Sequence, residues 1–388
     1  MAKLGWRVRS LAWVLDHAPG GTVASMTPEQ MLRTQQRLAG HARLTVGVTG
    51  GLAKGVSTEN KVINQDGENV PVRIYRPESA TTESATNESA GKGAAEGAAT
   101  PGAAPVIVNF HGGGWALGAL DQSDWLCSQV CLGVNAVVVS VDYRLAPTHQ
   151  FPTAVLDSIA AVNWVARNAD ELQIDANRIA VMGDSAGGNL AAVVCQLLRD
   201  RGGPAIVHQA LLYPATDLRT PDDFDPANPA LADWPILSSA SMVTFRDHYL
   251  GPDGDPTDPM ASPILAEDLS ALPPALVQVA EYDPLRGDGV RYARAMQGAG
   301  TPVRLTEYVG MPHGYFSFPK VIRGSIVQAL AELCSEQRYV LHGVPKLDRT
   351  VPLPPARVAL VPEGLATTDP VPALDDQLPW PAGVAERQ

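Results

Sequence analysis

Positive charge is scarce in this chain. Lys and Arg total 29 against 41 Asp and Glu in 388 residues, a formal net charge of −12. A chain of that sign repels phosphate backbones, so a nucleic-acid partner is excluded. Cysteine is scarce too: there are four, Cys127, Cys131, Cys195 and Cys334, in stretches that read as helical. They lack the dense spacing of a secreted disulfide framework and read as buried thiols. Cys127 and Cys131 stand four apart on one helix face, but no second Cys/His pair sits nearby at zinc spacing, so no metal is expected. No apolar run is long enough to span a bilayer. Near the start, Lys3, Arg7 and Arg9 precede Leu11–Leu15, a run too short for a signal core and stopped by Asp16 and His17. Leu4, Val8, Leu11 and Leu15 recur at helical spacing, which predicts an amphipathic helix there instead. These absences point to a cytoplasmic globular protein, and the 45% hydrophobic content gives it ample core.

One stretch lacks everything a core needs. Glu78 to Ala104 contains no Val, Leu, Ile or aromatic residue, and Glu-Ser-Ala recurs at 78, 83 and 88. It reads as a disordered low-complexity insertion over 78–104. Residues 343–388 are Pro-rich without periodicity and read as a tail laid on the surface or disordered, not a domain. Elsewhere β-type runs at 61–63, 70–76, 106–110, 136–141, 179–182, 206–212, 275–280 and 303–308 alternate with helical spacing at 155–168, 190–198, 242–250, 290–297 and 322–341. That alternation predicts an α/β fold with a mostly parallel central sheet covered by helices on both faces. Residues 1–50 read as N-terminal cap helices, with Thr27-Pro28-Glu29-Gln30 a helix start. The catalytic domain is then 51–342, within which the Pro- and Asp-rich stretch 215–262 is a second cap segment.

The chain is organised around Gly183-Asp184-Ser185-Ala186-Gly187, a G-x-S-x-G between the apolar run Ile179–Met182 and the apolar helix Leu190–Leu198. A sharp strand-to-helix turn of this kind exposes the serine, and glycines two away avoid a clash. The helix that begins there directs free N–H groups and its positive dipole end at a developing oxyanion. A bland Gly/Ser turn is the plain alternative, but the flanking strand and helix favour a nucleophile elbow. An activated serine needs a base, and the base needs a carboxylate. His17, His41 and His248 lie in cap segments, His208 in a strand and His342 at the end of the last helix. His313 alone follows a strand end, in a Gly-bounded loop. For the carboxylate, Asp283 follows its strand directly. Asp288 and Asp268 are rivals, and Asp184, adjacent to the serine, reads as a brace for the elbow. The order Ser185, Asp283, His313 is the order of the α/β-hydrolase fold. His111-Gly112-Gly113-Gly114 follows the strand 106–110. Its glycines let backbone N–H groups approach an ester oxygen, and the phosphate-loop pattern G-x-x-x-x-G-K-[ST] is absent.

Taken together, HGGGW at 111–115, DYRLAP at 142–147, GDSAGGN at 183–189, DPL at 283–285 and HGY at 313–315 closely resemble the hormone-sensitive-lipase-like family of α/β-hydrolase esterases. The resemblance covers roughly residues 60–340 outside the insertion. It implies Ser185, Asp283 and His313 as catalytic triad, the N–H groups of Gly113, Gly114 and Ala186 as oxyanion hole, and a lid from the N-terminal helices plus the segment after Tyr213. His111, Gly112, Gly183, Asp184 and Gly187 would support that site. The family pattern usually has Glu where this chain has Thr148 and an acidic residue where it has Gly287, which could loosen local ion pairing. The activity implied is hydrolysis of short- to medium-chain acyl or aryl esters, with no cofactor. Its partner would be a small-molecule ester, without stable membrane insertion, and a homodimer stays open. So do two alternatives: amide, lactone or deacetylase chemistry at the same site, and a non-catalytic small-molecule receptor of the same fold.

Overall fold

Valine-rich strands that pack on both faces need helices on both sides, and that requirement arranges the molecule. The computed structural model describes residues 6, 8–10, 13, 23–40, 48–65, 67–78, 103–219, 234, 236–322, 324–343 and 358–360. Its strands are β1 (Val56–Gln65), β2 (Glu68–Pro77), β3 (Ala104–Phe110), β4 (Val137–Val141), β5 (Ile174–Asp184), β6 (Ile206–Leu212), β7 (Ala275–Tyr282), β8 (Val303–Pro312) and β9 (Val358–Leu360). They form one nine-stranded sheet in the order β1-β2-β4-β3-β5-β6-β7-β8-β9. From β4 through β8 every pairing is parallel, while β1, β2 and β9 join antiparallel at the two edges.

Alternation within each strand sorts the core to two faces. Val106, Val108, Phe110, Ile179 and Val181 pack with the helices Thr153–Arg167, Ala186–Arg201 and Arg286–Gly298. Ile107, Ala180 and Met182 pack on the other side with the helices Leu120–Val134 and Gly324–His342. Burying one Val or Ile side chain contributes about 1.5–3 kcal/mol, so these central strands have no solvent-facing register available. All four cysteines are free and buried.

The expected helix start at Thr27 is a reciprocal capping box on the helix Pro28–Gly40. Thr27 N–H donates to Gln30 Oε1 at 2.8 Å, and Gln30 N–H donates to Thr27 Oγ1 at 3.3 Å. Of the N-terminal amphipathic stretch, Trp6, Val8–Ser10 and Trp13 are described and helical, with Val8 buried. Of the insertion read over 78–104, residues 79–102 lie outside the described residues, while Ala104 opens β3 instead of ending the insertion; the tail beyond Gly343 also lies outside them apart from one strand. That strand departs from the sequence reading. Val358–Leu360 pairs with Thr306–Tyr308 and closes the sheet edge, a pairing without periodic signal because three residues are too few to show one.

Candidate active site

The parallel strands end nearly level, and the next residue of each begins the site. Phe110 of β3 stands opposite Gly183 of β5, Asp184 of β5 opposite Leu212 of β6, and Tyr282 of β7 opposite Pro312 of β8. The residues that follow are His111, Ser185, Tyr213, Asp283 and His313. Ligands of open parallel sheets bind at this carboxyl end.

Ser185 has φ 55° and ψ −118°, outside the regions an ordinary residue prefers. The turn is held because Ser185 N–H donates to Leu212 O at 2.9 Å. A Cβ at Gly187 would overlap Phe110 O, and one at Gly183 would overlap Gly187 O, so the elbow tolerates only glycine at both positions. The helix Ala186–Arg201 starts immediately, with the Ala186 N–H in its unpaired first turn.

His313 Nε2 lies 2.9 Å from Ser185 Oγ, and its Nδ1 lies 2.8 Å from Asp283 Oδ2. Asp283 is fully buried, and its other oxygen accepts Leu285 N–H at 2.8 Å. With Nδ1 directed at a carboxylate, Nε2 is left to exchange a proton with the serine.

Beside the elbow, Gly113 (φ 124°) and Gly114 (φ 60°) turn the glycine loop. Gly112 N–H donates to Asp184 Oδ1 at 2.8 Å, so Asp184 ties the glycine loop to the elbow and does not brace the elbow alone. Burial pushes the Asp184 carboxyl above its ordinary pKa, against the pull of His111 and the Gly112 N–H. The His111 ring stacks on Tyr143 at 4.3 Å, its Nδ1 is 2.8 Å from Gly112 O, and Tyr143 Oη donates to His111 O at 2.7 Å. Among the described residues none accepts a hydrogen bond from the Gly113 or Gly114 N–H.

The rival residues are elsewhere. Asp288 is buried and accepts Thr216 N–H at 2.7 Å, Asp217 N–H at 3.1 Å and Arg291 Nη2 at 2.6 Å, fastening the chain after β6. Asp268 accepts Ser270 N–H at 2.7 Å on the surface. His248 Nε2 donates to Met26 O at 2.9 Å, His208 is buried in β6, and His342 ends its helix. His17 and His41 lie outside the described residues. The two departures from the family pattern leave the adjacent arginines paired: Arg144 grips Asp157 through Nη2 at 2.7 Å, and Arg286 grips Glu307 through Nε and Nη2, both at 2.9 Å.

Several site residues escaped the sequence reading. Tyr213 (φ 39°) stands edge-on to His313, with ring centroids 5.1 Å apart, and edge-on to Tyr315 at 4.8 Å. Tyr315 Oη donates to Gln278 Oε1 at 2.9 Å, and Gln278 Nε2 donates to Glu332 Oε2 at 3.0 Å, giving the histidine loop a buried polar footing. From the helix Ser239–Leu250, Phe245 lies against Gly114, where a Cβ would strike its ring, and Tyr249 stacks on Trp115 at 4.5 Å. That helix also meets the N-terminal segment: Thr244 Oγ1 donates to Ala24 O at 2.9 Å. Only the strand-end position of Tyr213 and the motif membership of Tyr315 and Trp115 offered a local signal.

Sheet order, elbow and strand-end residues define an α/β hydrolase. Residues 107–317 match the alpha/beta hydrolase fold family. Esterase LipI of Mycobacterium tuberculosis is 45% identical over 245 residues, 62% of this chain and 74% of that protein. Carboxylesterase NlhH of the same species is 42% identical over 271 residues, 68% of this chain and 77% of that protein. The structure of a hyperthermophilic esterase from Pyrobaculum calidifontis superposes with a TM-score of 0.71 at 33% identity, covering 86% of this chain and 98% of that one. The chain belongs to the hormone-sensitive-lipase-like family of the alpha/beta hydrolase fold, and it is a carboxylesterase-type hydrolase. No helix among the described residues is long and apolar enough to cross a membrane.

Proposed function

We propose that this esterase works through Ser185, His313 and Asp283 on short- to medium-chain acyl or aryl esters. The observation that carries the reading is the unbroken line from Asp283 Oδ2 through His313 to Ser185 Oγ, with links of 2.8 and 2.9 Å. Ser185 Oγ attacks the acyl carbon while its proton passes to His313 Nε2. The carbonyl oxygen becomes an oxyanion facing the N–H groups of Gly113, Gly114 and Ala186. Collapse breaks the bond to the alcohol, which leaves with the proton from His313, and the acyl group stays on Ser185. Water then gives a proton to His313 and attacks the acyl carbon; the acid departs as the proton returns to Ser185. Asp283 holds the ring and stabilises its charged form throughout.

The half-buried ring of Phe245 at Gly114 supplies an apolar neighbour for a compact acyl or aryl group. The helix Pro28–Gly40 and the segment containing Ser239–Leu250 would act as the lid. Four buried free thiols suit a reducing cytoplasm. A receptor without catalysis has no need of a base in contact with the serine, which disfavours that alternative. The test is labelling by a fluorophosphonate: the folded wild-type protein should be labelled and Ser185→Ala should not. A series of p-nitrophenyl esters graded by acyl length should then give the highest kcat/KM at short to medium chains. Equal labelling of Ser185→Ala would overturn the nucleophile, and a maximum at long acyl chains the substrate class.

A further inference from the structure

The geometry points to Gln35 as a positioning residue for the oxyanion loop, an inference that rests on the catalytic reading proposed above. Gln35 projects from the helix Pro28–Gly40, and its amide nitrogen donates to Ala116 O and to Ala146 O, each at 2.7 Å. A glutamine amide has two N–H donors, and both are committed. Their acceptors lie 81 and 111 positions away, in the glycine loop and at the end of the DYRLAP segment.

Those two carbonyls bracket the turn that carries the proposed oxyanion donors. Ala116 N–H and Leu117 N–H both donate to Gly113 O, at 3.2 and 2.8 Å, closing the turn on itself. Ala146 N–H donates to Trp115 O at 3.0 Å, joining the DYRLAP segment to the same turn. Asp184 holds the turn's entrance through Gly112 N–H, and Phe245 covers Gly114. At the exit, where the Ala116 peptide leaves, Gln35 is the side chain that fixes the carbonyl. Ala116 is fully buried, so without Gln35 its carbonyl would seek another donor and the peptide would rotate. Rotation there moves Gly113 and Gly114, three and two residues upstream, and with them the N–H groups aimed at the oxyanion. The helix is anchored well enough to act as a fixed point, through its capping box and the fully buried Met31. Gln35 therefore sets donor geometry without touching the reacting atoms.

The experiment compares Gln35→Glu, which keeps the shape and removes the donors, with wild type. Four quantities are read: kcat and KM on p-nitrophenyl butyrate, affinity for a trifluoromethyl ketone that adds to Ser185 as a tetrahedral adduct, and affinity for the plain ketone that binds without adduct. The expected result is a fall in kcat of about tenfold, smaller than the 10²–10³ for an oxyanion donor lost outright. KM and plain-ketone affinity should stay level while trifluoromethyl-ketone affinity falls with kcat. Gln35→Lys, which keeps N–H donors, should retain more kcat than Gln35→Glu. A folded Gln35→Glu enzyme with unchanged kcat, or one in which both ketones weaken together, overturns the assignment. If Gln35→Glu does not fold, Gln35→Leu against Gln35→Lys decides by the same readings. Should the trifluoromethyl ketone fail to inhibit wild type at all, the catalytic reading itself falls and takes this inference with it. Inhibition of wild type and Gln35→Glu alike removes only Gln35.

Discussion

Adding one methyl group at Gly113 should disable the enzyme without emptying its binding site. Gly113 sits at φ 124°, and a Cβ there would overlap Leu117 O and stand 2.6 Å from its carbonyl carbon. Non-bonded heavy atoms settle at about 3.5 Å, so the turn must yield by about 1 Å. It can yield only by opening the bonds from Ala116 and Leu117 to Gly113 O, because Gly112 is fixed to Asp184 on the other side. A donor moved by about 1 Å from a 2.9 Å hydrogen bond no longer counts as one. Gly113→Ala should then lower kcat by about 10²–10³, or roughly 2.7–4 kcal/mol of transition-state stabilisation. A ground-state ester relies little on that donor, so KM should change no more than about twofold, the pattern of an interaction made only in the transition state. The assay is steady-state hydrolysis of a p-nitrophenyl ester with kcat and KM separated, beside a thermal melt confirming that the variant folds. A rise in KM with kcat intact would refute the reasoning, because the loop would then be a wall of the binding site.

Other changes test the rest of the machinery. Ser185→Ala and His313→Ala should each remove nearly all turnover, and the double variant should be little worse than either, since triad members act as a unit; losses that multiply would separate the two residues. Asp283→Asn should lower kcat by about 10⁴ by presenting the wrong tautomer to the serine, whereas Asp288→Asn should chiefly lower the melting temperature by loosening Thr216 and Asp217. The reverse pattern in paired kinetics and melts would move the carboxylate role to Asp288. Replacing residues 79–102 by a short Gly-Asn turn should leave kcat/KM unchanged and stability within about 1 kcal/mol, because loop closure depends only weakly on length. That replacement enters β3 at Ala104, the end of the strand opposite His111. A folded but inactive deletion variant would require the segment to reach the site.

What could be read beforehand was what local chemistry dictates. The elbow is legible because Ser185 at positive φ and two glycines in backbone contact constrain five consecutive residues. The placement of Asp283 beside His313 is legible because each directly follows one of two neighbouring parallel strands. The helix start at Thr27 followed from its capping pattern. What stayed hidden is contact between distant segments. Nothing near Gln35 announces carbonyls at 116 and 146, and nothing near Phe245 announces Gly114. Asp184 was read through its chain neighbour Ser185, yet its bond goes to Gly112, 72 positions earlier. β9 was missed because its pairing with β8 is decided by an available edge rather than by its own composition.

For the triad proposed above, the wide spacing of its members also sets when the enzyme can first act. Ser185 and His313 are 128 positions apart, on strands with β6 and β7 between them in the sheet. At about 5–20 residues per second, a ribosome delivers the histidine roughly 6 to 25 s after the serine. Throughout that interval the growing chain would carry Ser185 without the base proposed for it, an ordinary alcohol unable to attack an ester. Chemical competence arrives only when β8 has docked beside β7, so appearance of hydrolysis during refolding is a stopwatch for that one event. The same dependence works in reverse: fraying of β8 would silence the serine before the central strands have begun to open.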